Sequence, residues 1–438
     1  MDLITQLQKN TSKGPDYESD PDQASTVEKA LVRLIAYYLP QFHPIPENDE
    51  WWGKGFTEWT NVTKSMPRFS GHYQPHLPGA LGFYDLRHPE TLRSQARLAQ
   101  KYGLAGFCFH HYWFDGKTLL QTPLQNLLNN KDIDIGFCVN WANESWTRTW
   151  DGNEKEVLMS QKHSKEDDLA FAESLKPLFS DERYIRIDNR PLIMIYRPNL
   201  FPDITETINR WRDYFTRSGF SNPYIVMPQA FGDNDPRQYG FDAAVGFPPH
   251  NGGWNLPNMR SYLNSFRPWG QERISQYSEL IKNTIKNDTD DFTLFPGVCP
   301  GWDNTPRREN GGTCFIGSSP KLYGEWLEIA CERVLSFPKK DERIVFINAW
   351  NEWAEGAHLE PDIYYGYAFL AETSRVLKRL NLSSAGETCR ALWEVKNTTT
   401  GKLERKSFFF KLMHKVIFRA ANIFESIGRG FRKMGNTL

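Results

Sequence analysis

The chain of 438 residues lacks the cysteine and apolar patterns that mark several classes of protein. None of its six cysteines (Cys108, Cys138, Cys299, Cys314, Cys331 and Cys389) belongs to a CxxC pair, so we expect neither a metal site nor a redox site. No run reaches the roughly 18 apolar residues of a membrane-spanning helix, and the polar start shows no signal-peptide pattern. The net charge of −1 gives no sign of a nucleic-acid partner. We therefore expect a cytoplasmic protein without a cofactor.

Aromatic side chains, by contrast, are abundant, at 14% of residues with 15 tryptophans. Many tryptophans follow apolar runs: Trp113, Trp141, Trp146, Trp150, Trp302, Trp350 and Trp353. Tryptophans can simply fill a large core. Their positions after the apolar runs, rather than within them, favour a lined cleft.

Apolar, β-branched runs recur along the chain and alternate with helix-like stretches. We expect strands near Leu34–Leu39, Ala105–His110, Ile135–Val139, Leu192–Tyr196, Tyr224–Met227, Ala243–Phe247, Leu294–Val298 and Arg343–Ile347. We expect helices at Thr91–Tyr102, Lys165–Phe179, Ile204–Ser218, Tyr277–Lys286 and Leu322–Leu335. Eight near-continuous apolar strands with helices between them predict an α/β fold of the (β/α)8 barrel type over residues 29–385. An open doubly wound sheet is the rival, but no Gly-rich phosphate loop follows the first strand, which runs into Pro40-Gln41-Phe42-His43.

The most informative stretch begins within the last strand and reads IVFINAWNEWAEGAHLEPD, from Ile344 to Asp362. It places Glu352 and Glu355 three residues apart, interleaved with Trp350 and Trp353. Two glutamates at this spacing often lie on a solvated helix face. Here they follow a strand and tryptophans flank them, which favours a pair of catalytic carboxyl groups for glycosidic-bond chemistry.

The ends of the other strands carry polar and aromatic side chains that a barrel would bring together. We predict that these residues bind substrate: Tyr38, His43, His110, His111, Tyr112, Trp113, Asn140, Trp141, Asn143, Glu144, Trp146, Tyr196, Arg197, Trp302, Asp303, Asn351 and Trp353. Any one of them alone is more often structural.

The two ends of the chain differ from its middle. Residues 1–28 are polar and acidic and are expected to form a flexible lead-in. Residues 386–438 form a tail in which residues 402–433 carry nine Lys/Arg and apolar residues at helical spacing. We expect a basic amphipathic helix there that binds an anionic membrane surface; the alternative is a helix that packs on the barrel or on a partner.

Five segments in order carry a family resemblance: AYYLPQFHPIPENDEWWGKGFTEWTNV, AGFCFHHYWF, NWANESWTRTWDG, PGWDNTPR and NAWNEWAEGAHLEPD. Over about residues 30–380 they resemble the WbsX-type glycosyltransferases, which are glycoside hydrolase family 99-like proteins similar to endo-α-mannosidases. The resemblance implies a (β/α)8 barrel and a role in bacterial surface polysaccharide such as the O-antigen of lipopolysaccharide.

The resemblance also implies roles for residues of the Asn-Glu-Trp-x-Glu-Gly pattern, matched at Asn351, Glu352, Trp353, Glu355 and Gly356. Glu352 would be the base toward the substrate 2-hydroxyl and Glu355 the acid at the leaving oxygen. The route would retain configuration and pass through a 1,2-anhydro sugar. This chain has Ala354 where the endo-mannosidases commonly carry histidine.

Three functions fit these observations. The first is a membrane-associated glycosyltransferase acting on an oligosaccharide, in one version a lipid-linked one. The second is a retaining endo-glycosidase, and the third is a barrel that binds carbohydrate without catalysis. A metal-binding DxD motif at Asp233-Asn234-Asp235 is disfavoured because that segment reads as a turn.

Overall fold

The structure is a computed structural model that describes residues 2–20, 30–148, 153–267, 269–289 and 291–385. The predicted basic tail, 386–438, and with it the membrane-binding segment 402–433, lies outside the described residues.

Parallel strands form a barrel, as the sequence predicts. They are β1 (Arg33–Tyr38), β2 (Gly106–Phe114), β3 (Gly136–Trp141), β4 (Arg190–Ile195), β5 (Tyr224–Pro228), β6 (Ala243–Val245), β7 (Leu294–Phe295 and Gly297–Val298) and β8 (Ile344–Ile347). Each strand pairs with the next, and β8 pairs with β1 from Arg33 opposite Ile344. Their nearly unbroken burial explains why they read as continuous apolar runs.

Strand β7 closes the barrel although Pro296 interrupts it. Leu294 and Phe295 pair with β6, whereas Gly297 and Val298 pair with β8. Proline has no N–H to give to a ladder, but the Pro296 carbonyl still accepts the Phe346 N–H at 2.9 Å. The interruption therefore leaves the ring of strands closed.

Helices cover the barrel between most strands. The predicted helices occur at Pro89–Lys101, Lys165–Phe179, Ile204–Arg217, Tyr277–Lys286 and Pro320–Leu335. Further helices lie at Leu3–Asn10, Pro46–Trp52, Glu58–Thr63, Thr122–Asn129 and Ala368–Ala385. Between β5 and β6 only a short 3-10 turn, Pro236–Tyr239, stands where a regular barrel has a helix. Within the described ranges, no helix combines the length and the apolar character needed to cross a bilayer.

The start of the chain differs from the expected flexible lead-in. Leu3–Asn10 is a helix capped by the Asp2 side chain, and Gln6 and Asn10 on it are buried. The Asn10 amide donates to the carbonyls of His72 and Gln74 at 2.8 and 2.7 Å. The helix docks through polar contacts, so its low apolar content misled the prediction for this part of the segment.

Candidate active site

A cleft of about 680 Å³ opens at the carboxyl ends of the barrel strands, where the sequence analysis placed the site. It brings together these predicted residues: His110, Tyr112, Glu144, Trp146, Tyr196, Trp302, Glu352 and Glu355. Its volume lies within the range of roughly 300–1,000 Å³ that small-molecule sites occupy.

The two glutamates project from a small hairpin after β8. Asn351–Glu352 pairs antiparallel with Ala357–His358, and a 3-10 turn at Trp353–Glu355 joins them. Gly356 ends the turn with φ 59°, a left-handed conformation that favours glycine. The Asn351 side chain ties the hairpin to β1, because it accepts the Leu39 N–H at 2.7 Å and donates to the Leu39 carbonyl at 3.0 Å.

One guanidinium, that of Arg307, binds three carboxylates at the floor of the cleft. Its Nη2 contacts Glu352, its Nη1 lies 2.7 Å from Glu355, and its Nε lies 3.2 Å from Glu58. Glu58 is fully buried, whereas the side chains of Glu352 and Glu355 are 7% and 18% exposed. Arg307 therefore holds the carboxyl groups of Glu352 and Glu355, which reach the cleft, and is itself held by Glu58, which does not.

Burial sets the protonation of this cluster. It raises the pKa of Glu352 to about 8, against the opposing attraction of Arg307, and neighbouring Glu355 raises it further. Burial also raises the pKa of Glu355. Burial alone would lower the pKa of Arg307, but the three carboxylates outweigh it and raise this pKa, so the guanidinium stays charged. The carboxyl pair therefore holds a proton at neutral pH, as acid–base catalysis requires.

Aromatic rings form the walls of the cleft. Trp146 packs edge-on against Tyr112 at 5.1 Å and against Trp51 at 5.7 Å, and Gln41 donates to the Tyr112 hydroxyl at 3.0 Å. Phe231 and Trp254 line the cleft and are 45% and 55% exposed. Such exposed rings beside polar groups suit the faces of sugars.

Two histidines in the cleft are neutral at physiological pH. Burial and the charge of Arg307 lower the pKa of His110 to about 4. Burial and the charge of Arg197 lower the pKa of His250 to about 4. Each neutral ring has one donor nitrogen and one acceptor nitrogen, and Nδ1 of His110 is already engaged by the Asn140 amide at 3.3 Å.

Several predicted binding residues face the helix layer instead of the cleft. Their outward direction follows from the alternation of side chains along a strand: His110 points inward, so His111 points outward and contacts Phe171. These residues are Tyr38, which donates to Gln95; His111; Trp113, which donates to Asp167; and Trp141, which stacks on Phe171 at 3.9 Å.

Other predicted residues support the site without lining it. Asn140 lies 3.3 Å from His110, Asn143 holds the Arg197 backbone, and Arg197 pairs with Glu144 at 2.5 Å. The remainder are buried: His43; Asp303, bound by His72 and Gln74; Asn351; and Trp353, which donates to Glu360. Residues at a strand end are close to the site, but packing decides which of them reach it.

Several residues that form the cleft or its floor were missed from the sequence: Trp51, Phe231, His250 and Trp254, with Glu58 beneath. Gln41 and Arg307 also line the cleft; they stand after strands β1 and β7 in the sequence but were not among the residues predicted to bind substrate. Glu58 and Arg307 lie within the quoted segments GFTEWTNV and PGWDNTPR, which were the available signal. Their pairing across 249 positions could not be read from either segment alone.

Comparison with known proteins places the chain in a family. The family profile described as Glycosyltransferase WbsX matches residues 34–373. Two proteins described as "Uncharacterized protein WxcX", from Xanthomonas campestris pv. campestris strains B100 and ATCC 33913, are each 47% identical over 352 residues. The match covers 80% of this chain and 50% of each relative, so the chain spans about half their length.

Among solved structures, a "Glycoside hydrolase-like protein" is similar with a TM-score of 0.52 and 16% identity, over 83% of this chain and 98% of that one. The GH99 endo-alpha-mannosidase from Bacteroides thetaiotaomicron matches with a TM-score of 0.48 and 15% identity, over 81% and 99%. The first of these likenesses supports the barrel fold. Because the profile match covers most of the chain, this protein belongs to the Glycosyltransferase WbsX family.

Proposed function

We propose that this chain transfers a glycosyl unit, with retention of configuration, during assembly of a bacterial cell-surface polysaccharide such as O-antigen. One observation carries the proposal: Glu352 and Glu355 share the guanidinium of Arg307 at the floor of an aromatic-walled cleft. The family's description as glycosyltransferases supports transfer. The substrate is an oligosaccharide, and a lipid-linked one fits the proposed pathway.

The chemistry follows the route that the family resemblance implies. The 2-hydroxyl oxygen of the donor sugar attacks its own anomeric carbon and gives its proton to one carboxylate. The bond to the leaving oxygen breaks, and that oxygen takes a proton from the other carboxyl group. An acceptor hydroxyl then attacks the anomeric carbon and gives its proton to the carboxylate that had protonated the leaving oxygen. The bond from the anomeric carbon to the 2-oxygen breaks, and the 2-oxygen takes its proton back from the first carboxyl group. Two inversions give net retention.

The pKa values bear on which glutamate is the acid. The resemblance assigns the base to Glu352 and the acid to Glu355, whereas Glu352 has the pKa of about 8 and holds the proton in the free protein. We propose that the proton passes to Glu355 when substrate enters.

A donor with a good leaving group, which needs no protonation, tests this assignment. Glu355→Gln should then recover most of its turnover, while Glu352→Gln should stay inactive. The reverse pattern would exchange the two roles.

A retaining endo-glycosidase is the second candidate, and the fold shared with a glycoside hydrolase-like protein favours it. Hydrolysis and transfer differ only in whether water or a sugar hydroxyl takes the glycosyl unit. The third hypothesis, a barrel that only binds carbohydrate, does not fit the family assignment.

Thermal stabilisation of the purified protein by two ligand panels distinguishes these functions. One panel holds nucleotide sugars and the other holds neutral oligosaccharides and azasugars. A ligand at 100 times its Kd adds about 2.7 kcal/mol of stability, which is a readable shift. Stabilisation by one nucleotide sugar supports transfer from an activated donor. Stabilisation by glycans or azasugars only, together with release of free sugar, overturns transfer in favour of hydrolysis.

We further propose that the chain works at the cytoplasmic membrane through residues 402–433. The support is the sequence pattern of nine Lys/Arg and regularly spaced apolar residues. The full chain should co-sediment with vesicles that contain phosphatidylglycerol and not with pure phosphatidylcholine, and salt should weaken binding. A variant with Arg429, Arg432 and Lys433 changed to glutamine should bind less, and equal binding by both proteins would contradict the proposal.

A further inference from the structure

A second cavity, of about 250 Å³, lies beside the hairpin and gathers metal-ligating side chains. Gly356 and His358 of the hairpin line it. Its histidine, cysteine and aspartate side chains form two groups, His72 with Asp303 and Cys314, and His76 with His358 and Asp362. The proposed glycosyl transfer uses neither group.

The first group is already satisfied by protein hydrogen bonds. His72 Nδ1 accepts the Arg68 N–H at 3.0 Å, and its Nε2 lies 2.6 Å from Asp303. Asp303 also accepts from Gln74 at 2.7 Å and from the Thr305 N–H at 3.0 Å. A metal ion there would break several of these hydrogen bonds, so we infer that this group stabilises the fold and does not bind a metal.

The second group offers an oriented lone pair. His358 Nδ1 lies 3.0 Å from the Glu360 carbonyl, which can only accept, so Nδ1 carries the proton. A buried, neutral ring then has its lone pair on Nε2. This Nε2 accepts a hydrogen bond from His76 Nδ1 at 2.9 Å and lies 3.9 Å from Asp362 Oδ2. A bound ion would take the place of the proton between the two imidazoles, which costs this one histidine–histidine hydrogen bond. Metal-binding histidines are commonly oriented in this way, by a carbonyl on the other ring nitrogen.

The backbone holds the three side chains in place. Gly79 N–H donates to Pro361 at 2.8 Å and Ile363 N–H donates to Leu77 at 3.0 Å, so the segment after His76 pairs with the segment around Asp362. The Tyr73 hydroxyl donates to Asp362 Oδ2 at 2.9 Å. His358 is fixed by the hairpin pairing and by stacking on Trp353 at 3.8 Å.

We propose that His76, His358 and Asp362 bind a divalent transition-metal ion, for which Zn²⁺ is the test ion. The ligands are Nδ1 of His76, Nε2 of His358 and Oδ2 of Asp362, with the remaining positions open to the cavity. One ligand atom from each residue lies within 4.8 Å of the others. Zinc bonds to nitrogen and oxygen measure roughly 2.0–2.2 Å, so ligand atoms must lie within about 4 Å of one another and need only small shifts. Two imidazoles and a carboxylate suit zinc and its first-row neighbours.

The bound ion would connect two separate parts of the chain. His76 lies in the loop between the helices at Glu58–Thr63 and Pro89–Lys101, whereas His358 pairs with Asn351 beside Glu352. Metal binding would therefore brace the hairpin that carries the carboxyl pair without touching substrate. No metal site was expected from the sequence because the chain has no CxxC pair, and His76 lies 282 positions before His358, so these ligands meet only in the folded chain.

Zinc titration of the untagged full chain, stripped with a chelator and monitored against a chromophoric competitor, tests the site. We expect one Zn²⁺ per chain, and at least tenfold weaker binding in His76→Ala and in Asp362→Asn. Cys314→Ser, in the neighbouring group, is the matched control and should bind as the unmodified protein does. Zinc should raise the Tm of the unmodified protein and leave that of His76→Ala unchanged.

Cobalt substitution gives a second readout that needs no variant. Co²⁺ bound by nitrogen and oxygen should show visible d–d bands without the near-ultraviolet charge-transfer band of a cobalt–sulfur bond. A sulfur band, or zinc binding lost in Cys314→Ser, would place the ion at the first group and overturn the proposal. Equal zinc affinity of the unmodified protein and His76→Ala would overturn it as well.

Discussion

The segment after β8 holds buried acids in two different ways. Glu352 and Glu355 meet a charged guanidinium and open onto the cleft. Glu360, a few residues later, accepts hydrogen bonds from Tyr84 at 2.7 Å, from Gln95 at 2.6 Å and from Trp353 at 2.6 Å. Burial raises the pKa of Glu360 to about 7, close to that of Glu352, so pKa alone does not separate them.

The difference between these acids lies in what their oxygen atoms can still do. The oxygens of Glu360 are engaged by neutral donors in the core, so it anchors the hairpin through Trp353. The pair at the cleft is held from one side by a cation and can exchange a proton with a ligand on the other. A raised pKa therefore marks a catalytic acid only together with access to the cleft.

Removing the Arg307 cation should cause the largest loss of stability among these variants. Arg307→Met leaves Glu58, Glu352 and Glu355 buried without a counter-charge, which typically costs about 3–5 kcal/mol at neutral pH. Urea denaturation measures the loss. Arg379→Met, which breaks exposed pairs with Glu328 and Glu372, is the control and should cost about 1 kcal/mol or less. A loss no larger than the control's would show that the carboxyl groups do not depend on Arg307.

The pH dependence of stability should come next. The pKa of Glu352 rises from 4.5 to about 8 on folding, so its favourable contribution is complete below pH 4.5 and is lost as pH rises through about 8. Glutamine does not titrate. The Tm of the unmodified protein should therefore fall relative to that of Glu352→Gln between pH 4.5 and 8, and a constant difference would contradict the raised pKa.

Changing the anchoring acid should cost stability without removing the chemistry. In Glu360→Gln one carboxylate oxygen becomes an NH2 group, which faces either the donor of Gln95 or the donors of Tyr84 and Trp353, so about 1–3 kcal/mol should be lost. Thermal denaturation measures this cost, and turnover of the folded fraction should persist. Complete loss of turnover in a folded Glu360→Gln would remove the distinction between anchor and catalyst.

The smallest effect is expected at the rim of the cleft. Trp254→Ala removes an exposed ring, so stability should change by less than about 0.5 kcal/mol. Carbohydrate binding should weaken roughly three- to tenfold through lost stacking. Trp269→Ala, which is also exposed but does not line the cleft, should leave binding unchanged. Equal affinities in both variants would exclude stacking at Trp254.

The barrel was predictable because its strands are buried on both faces and read as apolar runs, for example Ile344–Ile347. Even strand β7 was found, since the apolar run continues through Pro296. The helix Leu3–Asn10 was not predicted, because polar side chains hold it against the rest of the protein.

The site was predictable only in part. Glu352 and Glu355 stood out because they directly follow a strand. The direction of neighbouring side chains could not be predicted in the same way. His110 lines the cleft, whereas His111, the next residue, packs on a helix. Glu58 and Arg307 meet only in the folded chain, so no local pattern revealed the cation that organises the carboxyl pair.

The most direct test of the central claim compares turnover and ligand binding in Glu352→Gln, Glu355→Gln and Glu360→Gln, on the substrate identified by the stabilisation panels. We expect the two cleft variants to bind this ligand but to lose roughly 10²–10⁴-fold in turnover, the usual contribution of acid–base catalysis. We expect Glu360→Gln to remain active. Unchanged turnover in both cleft variants would show that the carboxyl pair does not perform the chemistry.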